Sequence, residues 1–101
     1  MKKTKNIKQA EQVDFIFIYD EDKEVKLTIN NPNFDIVAES YKYLYDENNS
    51  VDLIKPGKII FDLCTIEYDE VLDINHQLML SVAAQLTKKF CLPINLEIKK
   101  N

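Results

Sequence analysis

The sequence has no arginine and no tryptophan, and it has only one glycine, Gly57, and one histidine, His76. Arginine is the side chain best suited to hold phosphate or carboxylate groups in a bidentate geometry, and glycine lets a loop close around a phosphate. A single histidine makes a poor zinc site, because such sites draw three or four ligands from Cys, His and carboxylates. These absences argue against an enzyme, and we expect no catalytic residue, cofactor or metal.

Cysteine is also scarce, and long apolar runs are missing. Cys64 and Cys91 have apolar neighbours and no C-x-x-C spacing, which predicts buried, reduced thiols. The lysines near the start are followed by polar residues rather than by the apolar stretch of a secretory signal. No apolar run approaches the roughly 20 residues that a membrane-spanning helix needs. We therefore expect a cytoplasmic protein that does not contact a membrane.

Charge is distributed unevenly along the 101 residues. Residues 1–10 carry four lysines and no acid, residues 88–101 carry four lysines and one acid, and residues 11–87 carry sixteen acids and five lysines. Such an acidic body disfavours direct nucleic-acid binding and favours solubility and basic partners. Two interpretations stay open: a solvated acidic surface, or an acidic nucleic-acid mimic that inhibits a host enzyme by occupying its basic groove.

Hydrophobic periodicity predicts an N-terminal β-hairpin. Residues 1–10 are polar and lack a cap, which predicts a disordered basic arm before a single domain over residues 11–101. Apolar side chains then alternate with polar ones in two segments, namely Val13, Phe15, Phe17 and Tyr19, followed by Val25, Leu27 and Ile29. The connection Asp20–Lys23 has no glycine, so we expect a loop of three to five residues rather than a tight type I′ turn.

About three helices are predicted after the hairpin. The first opens at Asn31-Pro32 or at Asn33, and its apolar residues recur on one face, namely Phe34, Val37, Ala38, Tyr41, Leu44 and Tyr45. The second starts near Pro56 and has an apolar face made by Ile59, Ile60, Leu63 and Cys64. An acidic connection over residues 65–73 leads to the longest helix, which Asp73 would cap and whose stripe is Ile74, Leu78, Val82, Leu86 and Phe90.

The predicted fold class is α+β, with the antiparallel hairpin packed on about three helices. After Pro93, apolar residues alternate with polar ones at Ile94, Leu96 and Ile98. This alternation is typical of a short C-terminal edge strand, but an extended tail would show the same pattern. Both alternatives stay open at the level of sequence.

Three aromatic residues are predicted to contact a partner: Tyr43, Tyr45 and Phe61. Tyr41, Tyr43 and Tyr45 occupy alternate positions of the first predicted helix, so they cannot all face one core, and we expect Tyr43 to be exposed. Phe61 follows an apolar pair at the edge of the second helix's apolar face, where full burial is the alternative interpretation. The partner is expected to be a protein, with self-association as a further option.

The segment Lys55–Cys64 is followed by an acidic loop and then by residues Asp73–Leu78, which lead into an amphipathic helix. In these residues, and in the order of elements over roughly residues 25–100, the chain resembles small proteins encoded in the tail modules of tailed phages and prophages. These proteins look like tail assembly chaperones. The resemblance implies a non-enzymatic protein in the host cytoplasm that coats a hydrophobic tape-measure protein until tail-tube subunits replace it, and it carries over no catalytic residues.

Overall fold

The structure is a computed structural model that describes residues 11–100; the arm predicted over residues 1–10 lies outside the described residues. A three-stranded antiparallel sheet, in the order β1-β2-β3, is combined with four helices in this part of the chain. The elements are β1 (Gln12–Tyr19), β2 (Lys23–Asn30), α1 (Phe34–Tyr41), α2 (Lys55–Cys64), β3 (Thr65–Tyr68), α3 (Val71–Ile74) and α4 (His76–Phe90). The α+β class and the N-terminal hairpin predicted from the sequence are confirmed.

In the hairpin of β1 and β2, the alternating apolar side chains share one face, as the sequence predicts. Its apolar cross-strand pairs are Val13 with Ile29, Phe15 with Leu27, and Phe17 with Val25. The β2 members of these pairs are fully buried and the β1 members are half-buried, whereas Ile16 and Ile18 on the other face are exposed. The loop has three residues, Asp20 to Asp22, within the predicted range. Asp20 and Glu21 take positive φ angles of 46° and 70°, a conformation that usually favours glycine.

The third strand is not at the C-terminus. β3 pairs with β2 through Leu27 with Tyr68 and Thr28 with Glu67, and a bulge follows at Ile29. The predicted acidic connection over residues 65–73 therefore contains both a strand and the short helix α3. Residues 93–100 contain no strand, so the alternating segment after Pro93 is the extended tail of the two alternatives. In residues 65–68 the β-branched and aromatic residues support a strand, although the surrounding acids made the segment look like a loop.

Two helix boundaries differ from those predicted. α1 ends at Tyr41 rather than near Tyr45. The cap of α4 is Asn75, whose Oδ1 accepts the N–H of Leu78 at 3.0 Å, whereas Asp73 accepts the hydroxyl of Tyr68 at 2.9 Å. Asparagine and aspartate are equally good caps, so the sequence alone could not choose between two positions so close together.

The core lies between the sheet and the helices α2 and α4. Its buried apolar residues include Val25, Leu27, Ile29, Ile60, Phe61, Cys64, Leu72, Leu78, Val82, Leu86 and Cys91. In α2 the buried face is shifted from the predicted one, because Phe61 is buried and Leu63 is exposed. The main helix α4 contributes Leu78, Val82 and Leu86 of its predicted stripe to this core, while Ile74 lies before it in α3 and is exposed.

Helices α2 and α4 approach each other most closely at Gly57. A Cβ atom at this position would lie 2.7 Å from the carbonyl carbon of Ala83 and 2.7 Å from Oγ1 of Thr87, and still closer to the Ala83 carbonyl oxygen. The Gly57 N–H donates to Oγ1 of Thr87 at 2.7 Å, and the same hydroxyl donates to the Ala83 carbonyl at 3.1 Å. The one glycine of the chain is therefore required for a helix-to-helix contact rather than for a turn.

The Thr87 hydroxyl also completes the N-terminus of α2. The first N–H groups of a helix have no partner within the helix, and the N-cap residue Ile54 has no side chain that could accept them. Oδ1 of Asp52 accepts the N–H groups of Ile54 and Lys55 at 2.9 and 3.0 Å, and Thr87 accepts that of Gly57. One cap is thus local and the other is supplied by a residue 30 positions away.

We expect Gly57→Ala to lower the free energy of unfolding by about 3 kcal/mol or more, because the methyl group must push the backbones of α2 and α4 apart. Urea denaturation followed by circular dichroism measures this change. Lys58→Ala on the exposed side of the same helix is the control and should change the free energy of unfolding by about 0.5 kcal/mol or less. Equal effects of the two substitutions would contradict the close approach.

Thr87→Val should cost about 1–3 kcal/mol, since it leaves the buried N–H of Gly57 without an acceptor while preserving side-chain volume. Thr87→Ser keeps the hydroxyl and loses one methyl group, so its cost should be smaller, about 0.8 kcal/mol. The same denaturation experiment compares them. If valine were tolerated better than serine, packing rather than the hydrogen bond would dominate at this position.

Candidate partner-binding surface

Helix α1 has apolar side chains on two sides, and only one side is packed on the domain. On the packed side, Ser40 is buried and its Oγ donates to the Ile36 carbonyl at 2.8 Å. Four members of the stripe predicted from the sequence lie on the other side, which is open to solvent, namely Phe34, Val37, Ala38 and Tyr41. Leu44 of the same predicted stripe is instead fully buried. Asn33 determines where this stripe begins, because its Oδ1 accepts the N–H of Ile36 at 2.9 Å and caps the helix.

The uncovered stripe forms one wall of an open groove of about 550 Å³, which we call the α1 groove. The opposite wall consists of Phe90, residues 91–94 and Leu96. None of the side chains that line the α1 groove is charged. The α1 groove therefore differs in charge from the strongly acidic body of the chain.

The second wall exists because α4 ends abruptly. The N–H of Cys91 still donates to the Thr87 carbonyl at 2.8 Å, and Pro93 then prevents the helix from continuing. Beyond it residues 94–100 form no helix or strand, and the side chains of Ile94, Leu96 and Ile98 are 82%, 85% and 88% exposed. Apolar side chains with this degree of exposure and this regular spacing are a candidate contact surface.

Two of the three predicted contact residues, Tyr43 and Tyr45, are partly exposed, although neither lines the α1 groove. Tyr45 is 46% exposed and packs edge-on against Tyr41, with ring centroids 6.4 Å apart. Tyr43 is 39% exposed, and Nζ of Lys55 lies 4.3 Å from the centre of its ring. Because α1 ends at Tyr41, both residues lie in the loop that follows the helix rather than on the helix itself.

The third predicted contact residue, Phe61, is in the core. Its side chain is 8% exposed, and its ring lies edge-on against Tyr68 at 5.3 Å. The structure therefore shows the burial that was the alternative interpretation from the sequence. Phe61 does not line the α1 groove. A role for Tyr43 and Tyr45 in partner contact stays a prediction.

The loop that carries Tyr45 is held by its own hydrogen bonds. Oδ1 of Asp46 accepts the N–H groups of Asn48 and Ser50 at 2.8 and 2.9 Å, and Tyr45 forms an isolated antiparallel bridge with Val51. Residues 46–51 therefore form an ordered turn, and Tyr45 just before it lies beside Tyr41 at one end of the α1 groove.

Sequence reasoning did not identify Phe34, Leu92, Ile94 and Leu96 as contact candidates. Phe34 was part of a helical stripe, and such stripes usually face a core. The residues after Pro93 were recognised as alternating, but the sequence did not show that they lack a neighbour in the fold. Exposure of a periodic apolar segment is a property of the packed molecule, so no local signal could have revealed it.

The side chains most suited to bind a metal ion do not form a cluster within residues 11–100. His76 is exposed at the start of α4, and within residues 11–100 no three His, Cys, Asp or Glu side chains are placed to hold a metal ion. Cys64 and Cys91 are buried and form no disulfide, as predicted, and burial raises the pKa of both thiols. None of the helices over this range has the length and apolar character needed to cross a bilayer.

Comparison with protein-family models, with curated proteins and with solved structures gives no match for this chain. Inferences about its function therefore depend on the chain's own residues and on the geometry described above.

Burial of the two thiols predicts slow alkylation. Since desolvation raises the pKa values of Cys64 and Cys91, the thiolate fraction at pH 8 is smaller than that of a free thiol, and iodoacetamide should react much faster after unfolding in urea than before. Mass spectrometry of timed aliquots measures both rates, and the native rate should rise with pH. A native rate at pH 8 equal to that of the unfolded chain would show that the thiols are accessible.

Proposed function

We propose that this chain is a non-enzymatic protein-binding domain, similar to phage tail assembly chaperones, that holds an apolar helical segment of a tape-measure protein or another tail component. The observation that carries the proposal is the α1 groove: an uncharged, solvent-open surface of about 550 Å³ in an otherwise acidic chain. The resemblance over roughly residues 25–100 supplies the identity of the partner.

The shape and chemistry of the α1 groove suit a helix. An amphipathic helix that enters a groove uses side chains spaced three and four residues apart, and the wall formed by Phe34, Val37 and Tyr41 has the same spacing. The interaction would be driven by the removal of apolar surface from water, which contributes roughly 25 cal/mol for each Å² buried. Specific hydrogen bonds are not required, which fits a protein that must coat long apolar stretches of varied sequence.

The acidic body supports the same role in a second way. Surface charge of one sign keeps a complex dispersed while an apolar partner is bound. The sixteen acids of residues 11–87 would supply such repulsion between neighbouring complexes on one tape-measure chain. This charge is also the sole support for the alternative function as a nucleic-acid mimic, so the decisive experiment has to separate apolar from ionic binding.

The first experiment identifies the partner and then tests the groove. The DNA that flanks the gene is searched for a long helical tape-measure reading frame, and that frame is co-expressed with the chain. We expect the tape-measure protein to be recovered in solution only with the chain.

Phe34→Ser should weaken the complex about 10-fold or more, because a buried phenylalanine contributes about 1.5–3 kcal/mol. Isothermal titration with a soluble tape-measure peptide measures the affinity.

Leu63→Ser is the matched control, since Leu63 is exposed on α2 and does not line the α1 groove. It should leave binding unchanged, and added salt should leave the wild-type affinity unchanged or increase it. Equal loss of binding in both variants would contradict a role for the groove. Binding that disappears as salt is raised would favour an ionic contact through the acidic body, and the absence of a tape-measure frame would contradict the chaperone proposal.

A further inference from the structure

Among residues 11–100, strand β1 has one edge with no strand paired to it. In the sheet order β1-β2-β3 it is paired on one side only. The N–H of Asn31 donates to the Glu11 carbonyl, so the pair just before β1 is hydrogen-bonded, and such pairs alternate along an antiparallel ladder. Asp14, Ile16 and Ile18 therefore direct their N–H and C=O groups away from β2, towards the free edge.

This edge has few of the features that normally prevent pairing with another chain, and its one charged side chain, Asp14, accepts the hydroxyl of Thr28 on β2. Protected edge strands are short, bulged, or carry proline or lysine. β1 has eight residues, an uninterrupted register with β2, no proline and no lysine, and Ile16 and Ile18 are exposed on its outer face. The opposite edge, β3, has four residues and lies beside a bulge. Only one of the two edges of the sheet is suited to accept a further strand.

The inner face of β1 is also incompletely covered. Val25, Leu27 and Ile29 of β2 are at most 1% exposed, whereas their β1 partners are half-buried. A cleft of about 280 Å³ lies at this edge between β1 and α4, and Phe17, Tyr19, Leu78 and Val82 are among its lining residues. A strand added beside β1 would place alternate side chains over this cleft.

The chain contains a segment with the properties that this edge requires. Residues 94–99 alternate Ile94, Leu96 and Ile98 with polar residues, they belong to no helix or strand, and none of them makes a backbone hydrogen bond to residues 11–92. Six residues in strand conformation span about 20 Å, which matches most of β1. Lys99 ends this segment and Lys100 follows it, and acids lie at both ends of β1, so the lysines would meet carboxylates in either strand direction.

We propose that the occupant of the β1 edge is a second copy of this chain: residues 94–99 of each copy add to the sheet of the other as a fourth strand, which gives a reciprocal dimer. Within one copy the segment extends along the α1 groove with its three apolar side chains more than 80% exposed, so it is not seated on its own sheet. In a two-fold symmetric dimer, this exchange pairs the free β1 edge of both copies and buries the apolar segment of both copies.

The dimer does not depend on the proposed function, but its formation would affect partner binding. Ile94 and Leu96 are part of the wall of the α1 groove, and in the dimer they would cover the cleft at β1 instead. Self-association and partner binding would then compete for the same residues. The dimer would be the form in which the chain keeps its apolar segment covered before a partner arrives.

The test is the mass of the full chain by sedimentation equilibrium over a range of concentrations, where a dimer has twice the monomer mass of 11.8 kDa. Ile16→Pro removes an N–H that faces the open edge without removing a β1–β2 hydrogen bond, so it should raise the dissociation constant of the dimer about 10-fold or more. Ile16→Thr keeps the N–H and should change it far less. Circular dichroism verifies that both variants fold.

A second pair of variants tests the segment itself. Leu96→Glu should also weaken the dimer about 10-fold or more, since it places a charge over the apolar cleft. Ile74→Glu is the matched control, because Ile74 is 80% exposed but belongs to α3. Mixing the Ile16→Pro and Leu96→Glu chains should restore association in part, since one chain supplies an intact edge and the other an intact segment.

Two results together would support the strand exchange: Ile16→Pro and Leu96→Glu each weaken the dimer, and the two variants associate when they are mixed. A wild-type chain that stays monomeric up to about 1 mM, at which even weak self-association is visible, would overturn it. A dimer that both variants leave intact, or that Ile74→Glu disrupts equally, would place the interface elsewhere and would overturn it as well.

Discussion

The close approach of α2 and α4 at Gly57 is the contact on which the rest of the fold depends. Because Gly57 has no side chain, its backbone reaches the Ala83 carbonyl and the Thr87 hydroxyl, and that hydroxyl caps α2 while it bonds to α4. The two helices therefore form a single layer with little space between them. This layer is narrow, and its width decides which parts of the sheet can be covered.

The narrow layer covers β2 and leaves apolar surface at both sides. The inner face of β2 is completely buried, whereas β1 is only half-covered and the outer stripe of α1 faces the open α1 groove. The extended segment after Pro93 adds a third apolar surface. A domain of this size has little interior in which to bury such surfaces. The proposed partner binding and the proposed strand exchange both follow from this geometry.

Local patterns were sufficient to predict the hairpin, the fold class and the main helix. Val13 to Tyr19 and Val25 to Ile29 have a period of two over long segments, and the stripe through Leu78, Val82 and Leu86 has the period of a helix. Short segments were not predictable in the same way. The strand Thr65–Tyr68 depends on pairing with β2, and four residues contain too little periodicity to indicate it.

The sequence by itself determined where the hairpin and the main helix lie, because their apolar periods are long or repeated, and it determined that the body is acidic. Only the tertiary structure decided which apolar faces are covered. The stripe through Phe34 and Tyr41 has the same spacing as a core stripe, yet it faces an open groove, while Phe61 at the edge of a predicted face is buried. The physical reason is that periodicity describes one element, whereas burial depends on whether another element is placed against it.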